Sequence, residues 1–290
     1  MRSPTATMEE NMYKDYFGMT GEPFSRNVPV SEMYESAELK EMAERLRAGI
    51  AGNEFMILVS EPGCGKTTLL RRLYKENEDV LFIYINGLNT NTRKLYCDIL
   101  RQMGIDIGYY RVDARELAKS QLAHLHREGK KVCLVIDEAH VLRINLLHEA
   151  QYLLNEAYDS ESYLSMVLCG QPKLWKKMTD VNEYHAIEDR FQIGCTLHPL
   201  NLNETQEYIR HCLQCCGCTR SLFTEDAYQA IQNNTGGRMR RINRICTTAL
   251  MYAAQNNMNT IDGNTIHYIE QHEMLCMNRN ETEDRNLLSE

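Results

Sequence analysis

The sequence predicts an α/β chain: a largely parallel five-stranded sheet flanked by helices, followed by a small all-helical part. Three observations carry that prediction. Five short apolar runs, Phe55–Ser60 (FMILVS), Val80–Asn86 (VLFIYIN), Val132–Ile136 (VCLVI), Leu164–Cys169 (LSMVLC) and Ile193–His198 (IGCTLH), are each bounded by polar residues. Near-continuous apolar runs of this length are what strands buried on both faces look like. Longer segments with helical character separate them, and such alternation implies parallel strands with helical crossovers. After Pro199 the strand-like runs stop and only helical patterns remain.

Within the helical part, Asn203–Cys212 reads as one helix. Thr224 is a candidate N-cap for a second, running to about Asn233. Gly236-Gly237 breaks the chain before a third, Met239–Gln255. Asp262 or Asn264 could cap a fourth that reaches His272. The expected division is therefore 13–199 for the sheet domain and 200–273 for a helical lid subdomain. The polar ends, 1–12 and 274–290, are expected to be loose. No internal repeat is evident.

Composition narrows the class. The chain has 290 residues, 43% of them hydrophobic and 25% charged, as in ordinary globular proteins. No apolar run approaches the ~18–20 residues that span a bilayer, and MRSPTATMEENMYKDYF lacks the apolar core of a signal peptide. The expectation is a cytoplasmic protein with no membrane partner, in which the 11 cysteines stay reduced. A net charge of −8 gives no global footprint for nucleic acid, so any DNA contact must come from particular residues.

The chemistry begins after the first run. Ser60-Glu61-Pro62-Gly63-Cys64-Gly65-Lys66-Thr67-Thr68 lies between a strand and a helix that starts near Lys66. This is a Walker A arrangement, with Ser60 where the first glycine usually stands. Gly63 and Gly65 let the backbone turn tightly and aim N–H groups at phosphate oxygens. Lys66 is placed for the β- and γ-phosphates, and Thr67 offers a hydroxyl to Mg²⁺. The expected ligands are ATP and Mg²⁺. The third run ends in Asp137-Glu138-Ala139-His140. An acid at the carboxyl end of a buried strand faces the ligand crevice of such sheets. Asp137 would hold Mg²⁺ through its waters, and Glu138 would orient and deprotonate the attacking water. His140 is equally consistent with a structural cap and with a sensor of phosphate state.

Further motifs follow in order: Gly170-Gln171-Pro172, Arg190, and Thr235-Gly236-Gly237-Arg238-Met239-Arg240-Arg241-Ile242-Asn243. Together with Tyr16-Phe17-Gly18 and Glu22-Pro23-Phe24 near the start, this order resembles the ExeA-like AAA+ ATPases from about Tyr13 to His272. The Walker motifs are generic to P-loop ATPases; the Gly-Gln turn and the Gly-Gly-to-Asn243 segment are more specific. The resemblance implies an oligomeric P-loop ATPase. It implies Gln171 as sensor 1, Arg190 as an arginine finger reaching a neighbour's ATP, and Arg240 as sensor 2. Arg238 and Arg241 compete with Arg240, and the spacing to Asn243 favours Arg240. Pro23 and Phe24 would pack near the adenine.

The family resemblance also divides by biology. One branch serves secretion and carries a membrane span after the ATPase. The other is similar to TnsC-type regulators, which use ATP to assemble on duplex DNA as rings or helical filaments and recruit a transposase, in some cases with a target-selection protein. The length of this chain favours the second branch. By the same resemblance, DNA-facing positions lie between the second and third strands, with Arg93, Lys94, Arg111, Arg115 and Lys119 as candidates. A solvated helix face is an equal reading for any one of them. The rival functions are an ExeA-type ATPase acting on a secretion or cell-envelope assembly, and a nucleotide-controlled interaction switch that does not touch DNA. The cluster His211, Cys212, Cys215, Cys216 and Cys218 is read as packing, because zinc sites join two separated ligand pairs and only one cluster is present.

Overall fold

The computed structural model describes residues 12–25, 27–88, 90–105, 113–154, 162–180 and 191–272. The chain divides into two compact units, one of residues 35–198 and one that joins the first 34 residues to the segment from Pro199 onward.

The first unit contains the sheet. In chain order its elements are α1 (Ala37–Gly52), β1 (Phe55–Ser60), α2 (Lys66–Glu76), β2 (Val80–Asn86), α3 (Thr92–Gln102), α4 (Ala114–Arg127), β3 (Lys131–Asp137), α5 (Ile144–Leu154), β4 (Ser165–Gly170), α6 (Lys173–Asp180) and β5 (Ile193–Leu197). All five strands are parallel, in the order β2-β3-β4-β1-β5. Every residue of β1 and β4 is buried, because each lies inside the sheet with helices on both faces. Ile57, Val59, Leu134, Ile136 and Leu168 face a core closed by Leu95, Ile99, Leu122, Leu147 and Leu174. Met56, Leu58, Cys133, Val135 and Val167 face the other side, against Leu39 and Leu46 of α1 and Leu69 and Leu73 of α2. The edge strand β2 is only partly covered. At Tyr84 its outward peptide groups pair with a side chain: Tyr84 N–H donates to Gln102 Oε1, and Gln102 Nε2 donates back to the Tyr84 carbonyl, both at 2.8 Å.

The strand runs read from the sequence coincide with β1 and β2 and lie within one residue of β3, β4 and β5. Strand order places β4 between β1 and β3. The loops after these three strands, with Lys66, Gln171 and Asp137, therefore open on one edge of the sheet, where open α/β sheets bind ligands.

The second unit is helical: α7 (Leu202–Cys215), α8 (Glu225–Thr235), α9 (Met239–Gln255), and helical residues 12–17 and 263–272. A reciprocal capping box, Asn201 with Glu204, starts α7. Asp262 accepts the Thr265 N–H at 2.9 Å and caps the last helix. Residues 13–34, expected with the sheet domain, belong to this unit. Tyr13, Phe17, Met19 and Phe24 are buried in its core with Tyr208, Ile231, Ile242 and Leu250. Their apolar side chains need a partner surface, and the helices after Pro199 provide it. Cys212, Cys216 and Cys218 are buried in the same core.

The Gly236-Gly237 break has a steric cause. Gly237 adopts φ +72°, and a Cβ there would stand 1.9 Å from the Leu200 carbonyl oxygen. The Leu200 N–H in turn donates to the Gly237 carbonyl at 3.0 Å. Replacement by alanine must open this backbone contact as well as strain φ. Gly237→Ala is expected to lower the unfolding free energy by about 2–4 kcal/mol, read by chemical denaturation; a variant as stable as the parent would disprove the close approach.

Candidate functional site

The P-loop conformation follows from its glycines. Gly63 and Gly65 have φ +90° and +95°, a region costly for residues with a Cβ. Gly65 caps α2, and its carbonyl accepts the first helical bond, from Leu69 N–H at 2.9 Å. The N–H groups of Lys66, Thr67 and Thr68 are thereby left without partners inside the helix, at the end where the helix dipole favours an anion. Ser60, in the place of the first motif glycine, and Cys64 are buried. Glu61, Pro62 and Thr67 lie at or near the surface of the loop.

Opposite the loop stands the end of β3. Lys66 Nζ lies 3.0 Å from Asp137 Oδ1 and 3.6 Å from Glu138 Oε1. Asp137 Oδ1 also accepts the Glu138 N–H at 2.8 Å, and Oδ2 accepts the Tyr84 hydroxyl at 2.8 Å. Burial pushes the Asp137 carboxyl up, but the hydrogen bonds from Lys66 and Tyr84 and the charge of Lys66 outweigh it, so its pKa falls below the ordinary value. Burial and the bond to Asp137 raise the pKa of the Tyr84 phenol. Asp137 is thus ionised and Tyr84 is a neutral donor.

Glu138 has φ +53° and ψ +31°, left-handed backbone that costs a non-glycine residue on the order of 1–2 kcal/mol. It starts a short 3₁₀ turn, Ala139–Val141. Glu138 Oε2 lies 3.4 Å from His140 Nδ1. Burial, then the charges of Lys173 and Lys66 against that of Glu138, lower the His140 pKa. The same Nδ1 faces the Gln171 N–H at 3.4 Å. A neutral imidazole accepting that N–H satisfies both facts, so the contact with Glu138 is not an ion pair. His140 therefore ties the end of β3 to the turn after β4.

Two glycines permit this crowding. A Cβ on Gly87, after β2, would meet the Asp137 carbonyl oxygen at 2.9 Å, and one on Gly170 would meet Leu174 Cδ2 at 2.9 Å and His140 N at 3.3 Å. Neither Gly87 nor Tyr84 belongs to a motif. The signal for Tyr84 is its place on the partly exposed edge strand next to β3.

The other expected residues fall in different places. Gln171 lies at the end of β4, between the two chemical loops, with its N–H on His140. Arg240 is exposed on the first turn of α9, and Arg241 is exposed beside it. In the same motif Ile242 is buried, and Asn243 accepts the Tyr208 hydroxyl at 2.6 Å. Phe24 is buried in the helical unit and Pro23 precedes it. Arg93 and Lys94 are exposed on the first turn of α3, where Asn91 caps the Lys94 N–H. Arg115 lies 3.2 Å from Glu149, and both Arg115 and Lys119 stack on the Tyr152 ring, at 3.7 and 3.5 Å from its centroid. These two cations join α4 to α5. Arg111 and Arg190, like the two chain ends, lie outside the described residues.

A hydroxyl on Thr67 and a carboxylate on Asp137 beside a phosphate cradle form an oxygen donor set that suits Mg²⁺. Bound there, the ion would neutralise charge on the transferred phosphoryl group. Lys66 places a positive charge beside that cradle, the α2 N-terminus places N–H donors there, and the Glu138 carboxylate lies at its rim.

Comparisons with known proteins bear on the fold. Residues 50–178 match the family described as AAA domain. The sequence is 31% identical over 252 residues to General secretion pathway protein A of Aeromonas hydrophila, a match that covers 83% of this chain and 45% of that protein. The chain thus spans less than half the length of that relative. Among solved structures, Cdc6p from Pyrobaculum aerophilum superposes with a TM-score of 0.66 at 19% identity, covering 82% of this chain and 67% of that one. Drosophila ORC bound to DNA gives 0.65 at 20% identity, covering 95% and 68%. Among the described residues no helix is long and apolar enough to cross a membrane.

Glu138→Gln should keep nucleotide binding while hydrolysis falls about 10²–10⁴-fold, measured as phosphate release at saturating ATP. Unchanged turnover would remove Glu138 from the chemistry. The P-loop, the acidic strand end and the sheet order agree with the match of residues 50–178 to the AAA domain family, and the sheet unit has the P-loop AAA fold.

Proposed function

We propose that this chain is an ExeA-like AAA+ ATPase that uses bound ATP to assemble with copies of itself on duplex DNA. The observation that carries the ATP-driven part is the cluster of Lys66, Asp137 and Glu138 at the carboxyl ends of β1 and β3, 3.0 and 3.6 Å apart across the P-loop. Such a site changes its charge when triphosphate enters, and a change of this kind can be read by a neighbouring subunit. Arg190 is the proposed finger of that neighbour, and Arg240 the proposed sensor 2.

DNA is the proposed partner because Arg93 and Lys94 stand exposed at the positive end of α3, where phosphate is favoured. The relative Drosophila ORC is described as bound to DNA. A role beside a transposase, with or without a target-selection protein, rests on the resemblance to the TnsC-type branch of the family. A second reading, work on a secretion or envelope assembly, is favoured by the 31% identity to General secretion pathway protein A.

Two experiments test these readings. Arg190→Ala and Lys66→Ala should each be nearly inactive, since a comparable finger in GTPases contributes about 10³–10⁵ in rate. Mixed, they should regain part of the activity, because some interfaces then pair an intact finger with an intact P-loop; no gain in mixtures that co-assemble would refute a finger acting between subunits. Retention of duplex DNA across a salt series should require ATP and show little sequence preference. Changing Arg93 and Lys94 to alanine should weaken retention and flatten its salt dependence. Binding that ignores nucleotide, or none in any state, would overturn the DNA reading and favour the secretion one.

A further inference from the structure

We infer that Tyr84 is a positioning residue for the acidic strand end: its hydroxyl fixes the Asp137 carboxylate once Lys66 turns to a phosphate, and so sets how readily the chain takes up Mg²⁺ with nucleotide. This rests on the reading of Asp137 as the carboxylate that faces the metal.

Among the described residues, three donors hold Asp137: Lys66 Nζ and the Glu138 N–H approach Oδ1, at 3.0 and 2.8 Å, and the Tyr84 hydroxyl approaches Oδ2, at 2.8 Å. Of these, Lys66 is the one that must change partners, because a triphosphate in the loop offers it more negative charge than one carboxylate. With Lys66 drawn away, Oδ1 keeps a bond from the peptide of the next residue. A bond to one oxygen leaves the carboxylate free to swing about its Cβ–Cγ axis. A bond to each oxygen defines its plane. Tyr84 supplies the second one, and groups that orient a metal-facing carboxylate in this way commonly change metal affinity when removed.

Tyr84 is built to do this. Residues two apart on a strand share a face, so Val135 and Asp137 point to the same side of β3. In register Tyr84 pairs with Val135, two residues before Asp137, and its ring leans forward to bring the hydroxyl to the carboxylate. The peptide groups of Tyr84 are gripped on the outer edge by the Gln102 amide, at 2.8 Å in both directions. The ring itself stays about half exposed (47%), so burial of apolar surface is a weak reason for a tyrosine here. The same exposure makes phenylalanine tolerable at this position.

The test uses the whole chain and a fluorescent non-hydrolysable ATP analogue. Its affinity is measured in EDTA and over a series of free Mg²⁺ concentrations, for the parent, Tyr84→Phe and Asp137→Asn, with a thermal melt of each. Tyr84→Phe should raise the Mg²⁺ concentration for half-maximal enhancement about three- to tenfold. Its affinity in EDTA and its melting temperature should match the parent. An unchanged Mg²⁺ requirement overturns the inference, and so does an equal loss of affinity with and without Mg²⁺, which would mean general damage to the site. Asp137→Asn separates the two levels. If it leaves the Mg²⁺ requirement unchanged, the reading of Asp137 fails. If it raises the requirement and Tyr84→Phe does not, only the role of Tyr84 fails.

Discussion

The site depends on one buried pair of charges. The side chains of Lys66 and Asp137 are each only about a tenth exposed (11% and 10%), so each would pay heavily for desolvation without the other. The strands that precede or carry them, β1 and β3, are not neighbours, since β4 lies between them. Two strand spacings amount to about 10 Å, a gap that only a long side chain from the P-loop can bridge. The lysine on the first turn of α2 fits that distance. A phosphate in the loop would replace Asp137 as its partner, exchanging one anion for another, which is easier than creating an unpaired charge.

Keeping those groups together requires close backbone approach. The chain after β2 passes the Asp137 carbonyl at Gly87, the chain after β4 passes His140 at Gly170, and Glu138 accepts left-handed backbone. Such strain persists only where the surroundings over-determine it. Here two close crossings, at Gly87 and Gly170, and the His140–Gln171 contact hold the turn between β3 and α5. The strained residue is also the proposed base, so its carboxylate sits on backbone with little freedom to drift.

Most of the sheet was legible in the sequence because strands buried on both faces leave runs such as FMILVS and VLFIYIN with no polar interruption. The P-loop was legible because its glycines, lysine and threonine have fixed chemical duties at fixed spacing. Tyr84 was not legible: its role depends on which strand lies beside β3, and the order β2-β3-β4-β1-β5 is a property of the assembled sheet. The same limit applies to residues 13–34. Their aromatics announce burial without saying against what, and proximity in sequence pointed to the sheet, whereas their core is built with helices almost 200 residues later. Arg115 and Lys119 read as candidate DNA contacts from the family resemblance and their charge, while their stacking on the Tyr152 ring is visible only in three dimensions.

Charge also limits how a DNA-binding form could work. At a net charge of −8 a single subunit repels a polyanion at long range, and several cations are engaged inside the chain: Arg72 with Glu35 and Glu76, Arg47 with Glu44 and Glu76, Arg115 with Glu149. Arg93 and Lys94 on one subunit would neutralise only a couple of phosphates, too few for firm binding at physiological salt. Repeated around an assembly they would add through linkage, because each further contact is made at high effective concentration. Affinity would then follow the number of joined subunits, and that number would follow the nucleotide between them. In the proposed DNA reading, the small local patch and an ATP site shared between subunits would be two parts of one requirement, since two cations per subunit are too few to hold duplex DNA firmly without assembly.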